Sequence, residues 1–318
     1  MLYTTSTKEN NKTINEVTSM EKEKYSVVVL MASYNGEKYI VEQIESLIHQ
    51  EEVDVKIIVS DDGSSDNTIS ILKEYQRRGI LEWYNGPHKG VEKNFLKLMK
   101  NAPEADFYAF CDQDDFWEKR KLIEAILKLK NFDSNKPALY FSSLKLVDQD
   151  LNLISVHRVN LERSEYARFI FAGVAGCTMV FNRALLNLCN QIEPMYIRMH
   201  DVWVYNVCVA MGGSYYADYE SYIKYRQHSN NVVGIKKKSI KESFNNYVLK
   251  SKVSKHMESL VAGYGKLMTN EYRMLCKDLI KCNYSITSRM KLLFSWKIKF
   301  GNNGLDIIFK LKVLLCKM

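Results

Sequence analysis

Three acidic clusters hold the reactive chemistry of this sequence. Asp112-Gln113-Asp114-Asp115 directly follows an apolar run, Ala105 to Phe110, that reads as a buried strand. Three carboxylates within four residues repel one another unless a cation or hydrogen-bond donors neutralise them. Mg²⁺ and Mn²⁺ are hard cations, held by one or two carboxylates together with substrate phosphates. The cluster therefore predicts a divalent-metal site, with a solvated acidic loop as the alternative. Asp61-Asp62-Gly63-Ser64 ends a second apolar run, Val53 to Val59. A carboxylate there can accept hydrogen bonds from a nucleobase imide or a ribose hydroxyl. Gly63 permits the tight turn, and Ser64, Ser65 or Asp66 can cap the helix that starts near Thr68. His200-Asp201 opens a further helical stretch, where Asp is a favoured cap. Neither GxxxxGK[ST] nor GxGxxG occurs, which argues against an ATPase or a dinucleotide enzyme.

Regular elements must bring these clusters together. Tyr25 to Ala32 is a β-branched apolar run, as expected of a strand buried on both faces, and ends at Ser33-Tyr34-Asn35-Gly36. Helical spacing follows over 39–49, a strand over 53–59, a helix over 68–78, a strand over 81–84, a helix over 92–100, the strand before Asp112, and a helix over 117–130. This alternation predicts an open α/β sheet of parallel strands. Ligands of such sheets bind beyond the carboxyl ends of the strands, where the polar clusters fall. Further on, 139–147 and 178–181 read as strands and 201–211 as a buried helix. No internal repeat is visible.

Taken together, Ala32-Ser33-Tyr34-Asn35-Gly36, Ser46-Leu47-Ile48-His49-Gln50, Ser60 to Asp66 and Asp112 to Asp115 resemble the family 2 glycosyltransferases of GT-A fold. The resemblance extends through Gly176-Cys-Thr-Met179, His200 to Trp203 and Tyr225-Arg226-Gln227-His228 to Gly234. Those motifs, with Gly90 to Phe95, are similar to the rhamnosyltransferase-like branch that builds bacterial O-antigens, capsules and cell-wall rhamnans. The resemblance implies a Rossmann-like open mixed sheet with flanking helices. It implies that Ser33, Tyr34, Asn35, Asp61, Asp62, Asn94, Asp112, Gln113 and Arg226 bind the nucleotide sugar. Asp114 and Asp112, with His228, would hold Mg²⁺ or Mn²⁺, and Asp201 would be the general base. Trp117 and Trp203 flank these motifs, which raises a weak acceptor-stacking role beside their ordinary place in a core or pocket wall. The implied reaction is an inverting single displacement, moving L-rhamnose from dTDP-L-rhamnose, or a hexose from a UDP-sugar, to a polysaccharide or lipid-linked acceptor. A metal-dependent nucleotidyltransferase and a non-catalytic membrane-peripheral assembly protein are the competing readings.

Charge is distributed unevenly. Residues 235–318 hold 18 Lys and Arg against 5 Asp and Glu, leaving 27 against 32 for the rest of the 318 residues. A basic tail on a slightly acidic body suits nucleic acid or an anionic membrane surface. No nucleic-acid motif accompanies the charge, and Met290 to Phe300 and Ile307 to Leu315 mix lysines with apolar and aromatic residues, as interfacial helices do. A helical cap on the main domain is the alternative. The expected organisation is a polar tail over 1–24, a catalytic domain over 25–234 and a basic helical region over 235–318. With no apolar leader and no apolar run of about eighteen residues, the expected location is the cytoplasm, with peripheral attachment to the inner face of the plasma membrane. The seven cysteines show no CxxC pair and suit reduced thiols.

Overall fold

The computed structural model describes residues 24–228 and 252–318. Residues 1–23, expected as a polar tail, and residues 229–251, which include the Ser229 to Gly234 end of the motif that begins at Tyr225, lie outside the described residues.

A seven-stranded sheet carries the site. In chain order its strands are β1 (Tyr25–Ser33), β2 (Val53–Asp61), β3 (Leu81–Asn85), β4 (Phe107–Asp112), β6 (Ala138–Ser142), β9 (Val180–Asn182) and β10 (Ser214–Asp218). Their spatial order is β10-β6-β9-β4-β1-β2-β3, and only β9 runs antiparallel to its neighbours. The period of two in β1 explains why it reads as a continuous apolar run. Val27, Val29 and Met31 enter one core, while Val28 and Leu30 enter the other.

Helices cover both faces. On one side lie α1 (Ile40–Ile48), α2 (Thr68–Arg77) and α4 (Lys121–Leu129), with Ile40, Ile44 and Leu47 of α1 pointing inward at helical spacing. On the other lie α3 (Val91–Lys100), α5 (Glu165–Phe171), α6 (Arg183–Asn190) and α7 (His200–Ala210). The basic C-terminal stretch supplies α8 (Val253–Tyr264), α9 (Asn270–Lys281), α10 (Ile286–Leu293) and α11 (Asn303–Leu314). These helices join the second core through Val253, Met257, Leu260, Tyr264, Phe309 and Val313. Tyr264 OH donates to Leu188 O at 2.8 Å, tying α8 to α6.

A smaller sheet, β5 (Phe116–Trp117), β11 (Ile223–Arg226), β7 (Leu144–Val147) and β8 (Leu153–His157), stands beside the rim. The single strand expected over 139–147 is two strands of different sheets. At the break, Ser143 donates from N and Oγ to carbonyls of Asp218, Tyr219 and Glu220, so the chain switches sheets without leaving a buried amide unpaired. The helix expected from Trp117 starts later, because Phe116 and Trp117 pair with β11. All seven cysteines are free thiols. Among the described residues, no helix is long and apolar enough to cross a membrane.

Candidate active site

The ends of β1 and β2 build the first wall of a cleft. Asp61 is buried, and both of its oxygens are occupied. Oδ2 accepts from Ser33 Oγ at 2.7 Å and Ser64 Oγ at 2.6 Å, and Oδ1 from the Gly63 and Ser64 amides. It therefore holds the two loops together and does not line the cleft, which corrects its expected place against the nucleotide. Asp62 does line the cleft, and its carboxylate accepts from the amides of His88 and Gly90 at 2.7 and 2.8 Å. Asn35 adopts φ +48, a region Asn tolerates, and its side chain accepts from Ser65 N at 2.8 Å. Asp66 accepts from the Thr68 amide at 3.0 Å from one residue ahead of the cap position, Asn67, whose own side chain makes no capping bond. Asn94 is buried on α3 and donates to Ser60 O at 2.8 Å, while its Oδ1 has no partner among the described residues.

The end of β4 supplies the second wall. Gln113 grips the backbone of Tyr34 twice, accepting from N at 2.9 Å and donating to O at 2.8 Å. A Cβ on Gly36 would lie 2.2 Å from Gln113 Oε1, so glycine makes room for this clasp. Asp112 and Asp114 both line the cleft, whereas Asp115 is fully buried beneath them. Burial, then the neighbouring charges of Asp114 and Asp201, pushes the Asp112 carboxyl up to about 7. Burial and the same crowding raise Asp115 well above the carboxylate range. Oxygens of Asp112 and Asp115 and the Cys177 sulfur fall within 4.8 Å of one another, and Asp115 Oδ2 has no hydrogen-bond partner among the described residues. A cation would relieve this repulsion. The oxygen donors of Asp112 and Asp114 fit a hard divalent ion, and the buried thiol, itself pushed up by burial, does not.

Arg226 and His228 leave β11 on either side of this loop. His228 Nε2 lies 2.7 Å from Asp114 Oδ2, and its ring packs on Tyr39. Arg226 is 1% exposed. Its Nε donates to Asp114 O at 2.9 Å, its amide to Asp115 Oδ1 at 3.2 Å, and its guanidinium reaches Glu42 and Gln149 O. Arg226 thus clamps the acidic loop from below and does not line the cleft, contrary to its expected contact with the nucleotide.

Asp201 lies in the first turn of α7, two residues past the cap position at Met199, and faces the same cleft. Its Oδ2 accepts the Gly176 amide at 3.1 Å, from the 3-10 turn that precedes β9. Burial lifts its carboxyl to about 6, against the opposing pull of the Val202 and Gly176 amides and the Arg198 charge. His200 is no solvated neighbour: it is buried against Phe95 at 3.8 Å between ring centroids, and burial lowers it to about 3, so it is neutral. Trp117 and Trp203 are 1% and 0% exposed. Trp117 packs under Lys121 and Trp203 against His256 and Tyr264, so neither ring can stack on an acceptor.

The cleft measures about 1720 Å³ and gathers Ser33, Tyr34, Asn35, Asp62, Asn94, Asp112, Gln113, Asp114, Asp201 and His228. The sequence reading missed its remaining side, where Arg158, Arg163, Arg168 and Arg198 stand with Lys252. The recurrence of arginine at 158, 163 and 168 was the available signal.

A family model described as glycosyl transferase family 2 matches residues 28–187, half of the chain. The chain belongs to glycosyl transferase family 2. This family 2 chain is 35% identical over 224 residues to a dTDP-rhamnosyl transferase, RfbG, of Shigella flexneri, covering 64% of this chain and 73% of that one. It is 31% identical over 165 residues to WfgD of Escherichia coli, a UDP-Glc:alpha-D-GlcNAc-diphosphoundecaprenol beta-1,3-glucosyltransferase, covering 51% and 62%. Its fold matches S. aureus TarS 1–349 in complex with UDP-GlcNAc with a TM-score of 0.50 at 16% identity, covering 91% of this chain and 90% of that one. Against the longer TarS chain it spans 46% of the partner's length. The GT-A architecture expected from the sequence is thus present.

Proposed function

We infer that this family 2 glycosyltransferase is an inverting, divalent-metal-dependent enzyme of surface-polysaccharide synthesis, using Asp201 as general base. The observation that carries the reading is the convergence on one cleft of Asp112, Asp114 and an Asp201 carboxyl pushed to about 6. A base is most useful when its proton affinity lies near the working pH. Ser33, Tyr34, Asn35, Asp62 and Asn94 orient the nucleotide, with Asp61 and Gln113 fixing their loops. Asp112 and Asp114, with His228 against Asp114, hold Mg²⁺ or Mn²⁺, which when bound supplies positive charge for the nucleoside diphosphate that leaves. Asp201 takes the proton from an acceptor hydroxyl as that oxygen attacks the anomeric carbon opposite the leaving group. The Gly176 amide and the first turn of α7 hold the carboxylate in place. A second carboxylic acid, as a glycosidase needs, is not required here because the nucleotide leaves readily.

The similarity to the dTDP-rhamnosyl transferase supports dTDP-L-rhamnose as donor, and the similarity to WfgD supports a lipid-linked glycan as acceptor. Phe294 and Trp296, 75% and 76% exposed, stand among lysines 291, 297 and 299, which favours an anionic membrane surface as a further partner on the cytoplasmic side. The deciding experiment is a binding and turnover screen with dTDP- and UDP-sugars in Mn²⁺, Mg²⁺ or EDTA. Metal-dependent binding of one donor, lost in Asp114→Ala, is the expected result. Failure of every donor with either metal overturns the reading.

A further inference from the structure

The helix that carries Asp201 is held from outside. Met199 stands at the cap position of α7 without a side-chain capping bond, so the chain entering the helix needs partners from elsewhere. The C-terminal helix α8 provides them. His256 Nδ1 accepts from the Arg198 amide at 3.2 Å. Ser259 Oγ, on the same face of α8, accepts from the Tyr196 amide at 3.2 Å. The other ring nitrogen of His256, Nε2, lies 3.2 Å from the Asn206 side-chain amide, on α7 itself. The imidazole is fully buried and stands edge-on to Trp203, with 5.6 Å between ring centroids and 87° between planes. At the far end of α7, the Thr269 amide donates to Ala210 O at 2.9 Å.

We propose that His256 is a positioning residue for Asp201, tying the chain three residues before the base to the body of α7 five residues after it; the proposal rests on the general-base reading of Asp201. With the entering chain and the helix joined to one rigid ring, Asp201 between them cannot tilt unless one tie breaks. Because Nδ1 accepts a backbone proton, it carries none of its own, and the ring is neutral. Burial and then the Arg198 charge push His256 well below the ordinary histidine range, in keeping with that geometry.

The tie bears on the base more than on the donor. A general base must meet the acceptor hydroxyl within hydrogen-bond reach, and a misplacement of about 1 Å costs on the order of 10²-fold in rate. Asp62, Asp112 and Asp114 stand at or just past the ends of β2 and β4, which do not depend on α8 for their place. The C-terminal region thereby belongs to the catalytic unit, holding the base-bearing helix at both ends.

His256→Phe tests this, since it keeps a ring against Trp203 and removes both nitrogens. His256→Asn returns an acceptor, Oδ1, on the same bond path from Cα as Nδ1. Amide hydrogen exchange of the full chain is followed by NMR, with melting curves to verify folding. Steady-state hydrolysis of dTDP-L-rhamnose in Mn²⁺ is measured beside it, water standing in as acceptor. The expected result for His256→Phe is exchange about tenfold faster at Arg198, Val202 and Trp203, with Cys208 and Val209 unchanged. Its kcat falls about tenfold with donor KM within about twofold of wild type, and His256→Asn recovers most of the kcat. Equal acceleration along all of α7, an unchanged kcat, or a rise in KM alone overturns the proposal. In the wild type, an Arg198 amide that exchanges far faster than that of Val209 overturns it without any variant. Wild-type protein that does not hydrolyse the donor, or Asp201→Asn that does, overturns the transferase reading instead. The exchange rates need no donor and judge the tie separately, so the two fail apart.

Discussion

His228 Nε2 sits 2.7 Å from Asp114 Oδ2, joining the chain just past β11 to the acidic turn more than a hundred residues earlier. The pair sets the imidazole where it can share a divalent ion with the carboxylate. His228→Ala is expected to weaken Mn²⁺ binding about tenfold while leaving the melting temperature of the metal-free protein within about 2 °C of wild type. Calorimetric titration of Mn²⁺ checks the first, and a thermal scan in EDTA the second.

Arg226 should behave differently, since it supports the same turn from inside. Arg226→Ala removes a buried cation from Asp114 O, Gln149 O and Glu42, and should cost roughly 3 kcal/mol of stability. Urea unfolding measures the loss. A loss below about 1 kcal/mol would show that the clamp is unimportant to folding.

Asp201 gives a pH signature. Its carboxyl is raised to about 6, so it is protonated, and useless as a base, below that value. Transfer should fall about tenfold per unit as pH drops below 6, and Asp201→Asn should lower kcat by roughly 10²–10⁴ with donor binding retained. Rates between pH 5 and 8 test the limb; an acid limb centred near 4 would remove burial from the account.

Asp112 makes a stability prediction. Its folded value, about 7, exceeds the ordinary 3.8, so the folded state binds the proton more tightly. The favourable contribution is complete below about 4 and is lost as pH rises through 7. Asp112→Asn should therefore melt about 2 °C or more above wild type at pH 8 in EDTA, while losing the stabilisation that Mn²⁺ gives the wild type.

Gly86 is a tight point beneath the Asp62 and Asn94 side of the cleft. A Cβ there would meet Asp61 O at 2.8 Å and oxygens of Asn94 and Asp62 at 2.9 Å. Gly86→Ala should raise KM for the donor about tenfold with a smaller effect on kcat, because it displaces binding residues and leaves Asp201 alone. Steady-state kinetics with the donor varied would show the split.

The parallel half of the fold was legible because β1, β2 and β4 are buried on both faces and end in charged turns; pattern and chemistry agreed there. Legibility failed where a residue's task depends on partners distant in sequence. Asp61 and Asp62 are adjacent and chemically identical, yet one is enclosed by Ser33 and Ser64 and the other faces the cleft. Arg226 was read as a ligand contact because sequence cannot show that Glu42 lies beneath it. Trp117 and Trp203 were placed by proximity in the chain to site motifs, while their rings turn into opposite cores. The arginine wall went unread because Arg158, Arg163, Arg168 and Arg198 meet only after β8, α5 and the chain before α7 have folded against one another.

The reversed direction of β9 has an effect on how this protein can diverge. Because β9 starts at the rim where its parallel neighbours end, the Ala172–Thr178 loop reaches the cleft from a different part of the chain than the loops after β1, β2 and β4. Lengthening or shortening the chain between His157 and Gly176 would remodel the arginine wall without disturbing Ser33, Asp62 or Asp112. One side of the cleft can drift while the carboxylate side stays fixed, so one scaffold can serve a series of chains that share a rim and differ across from it.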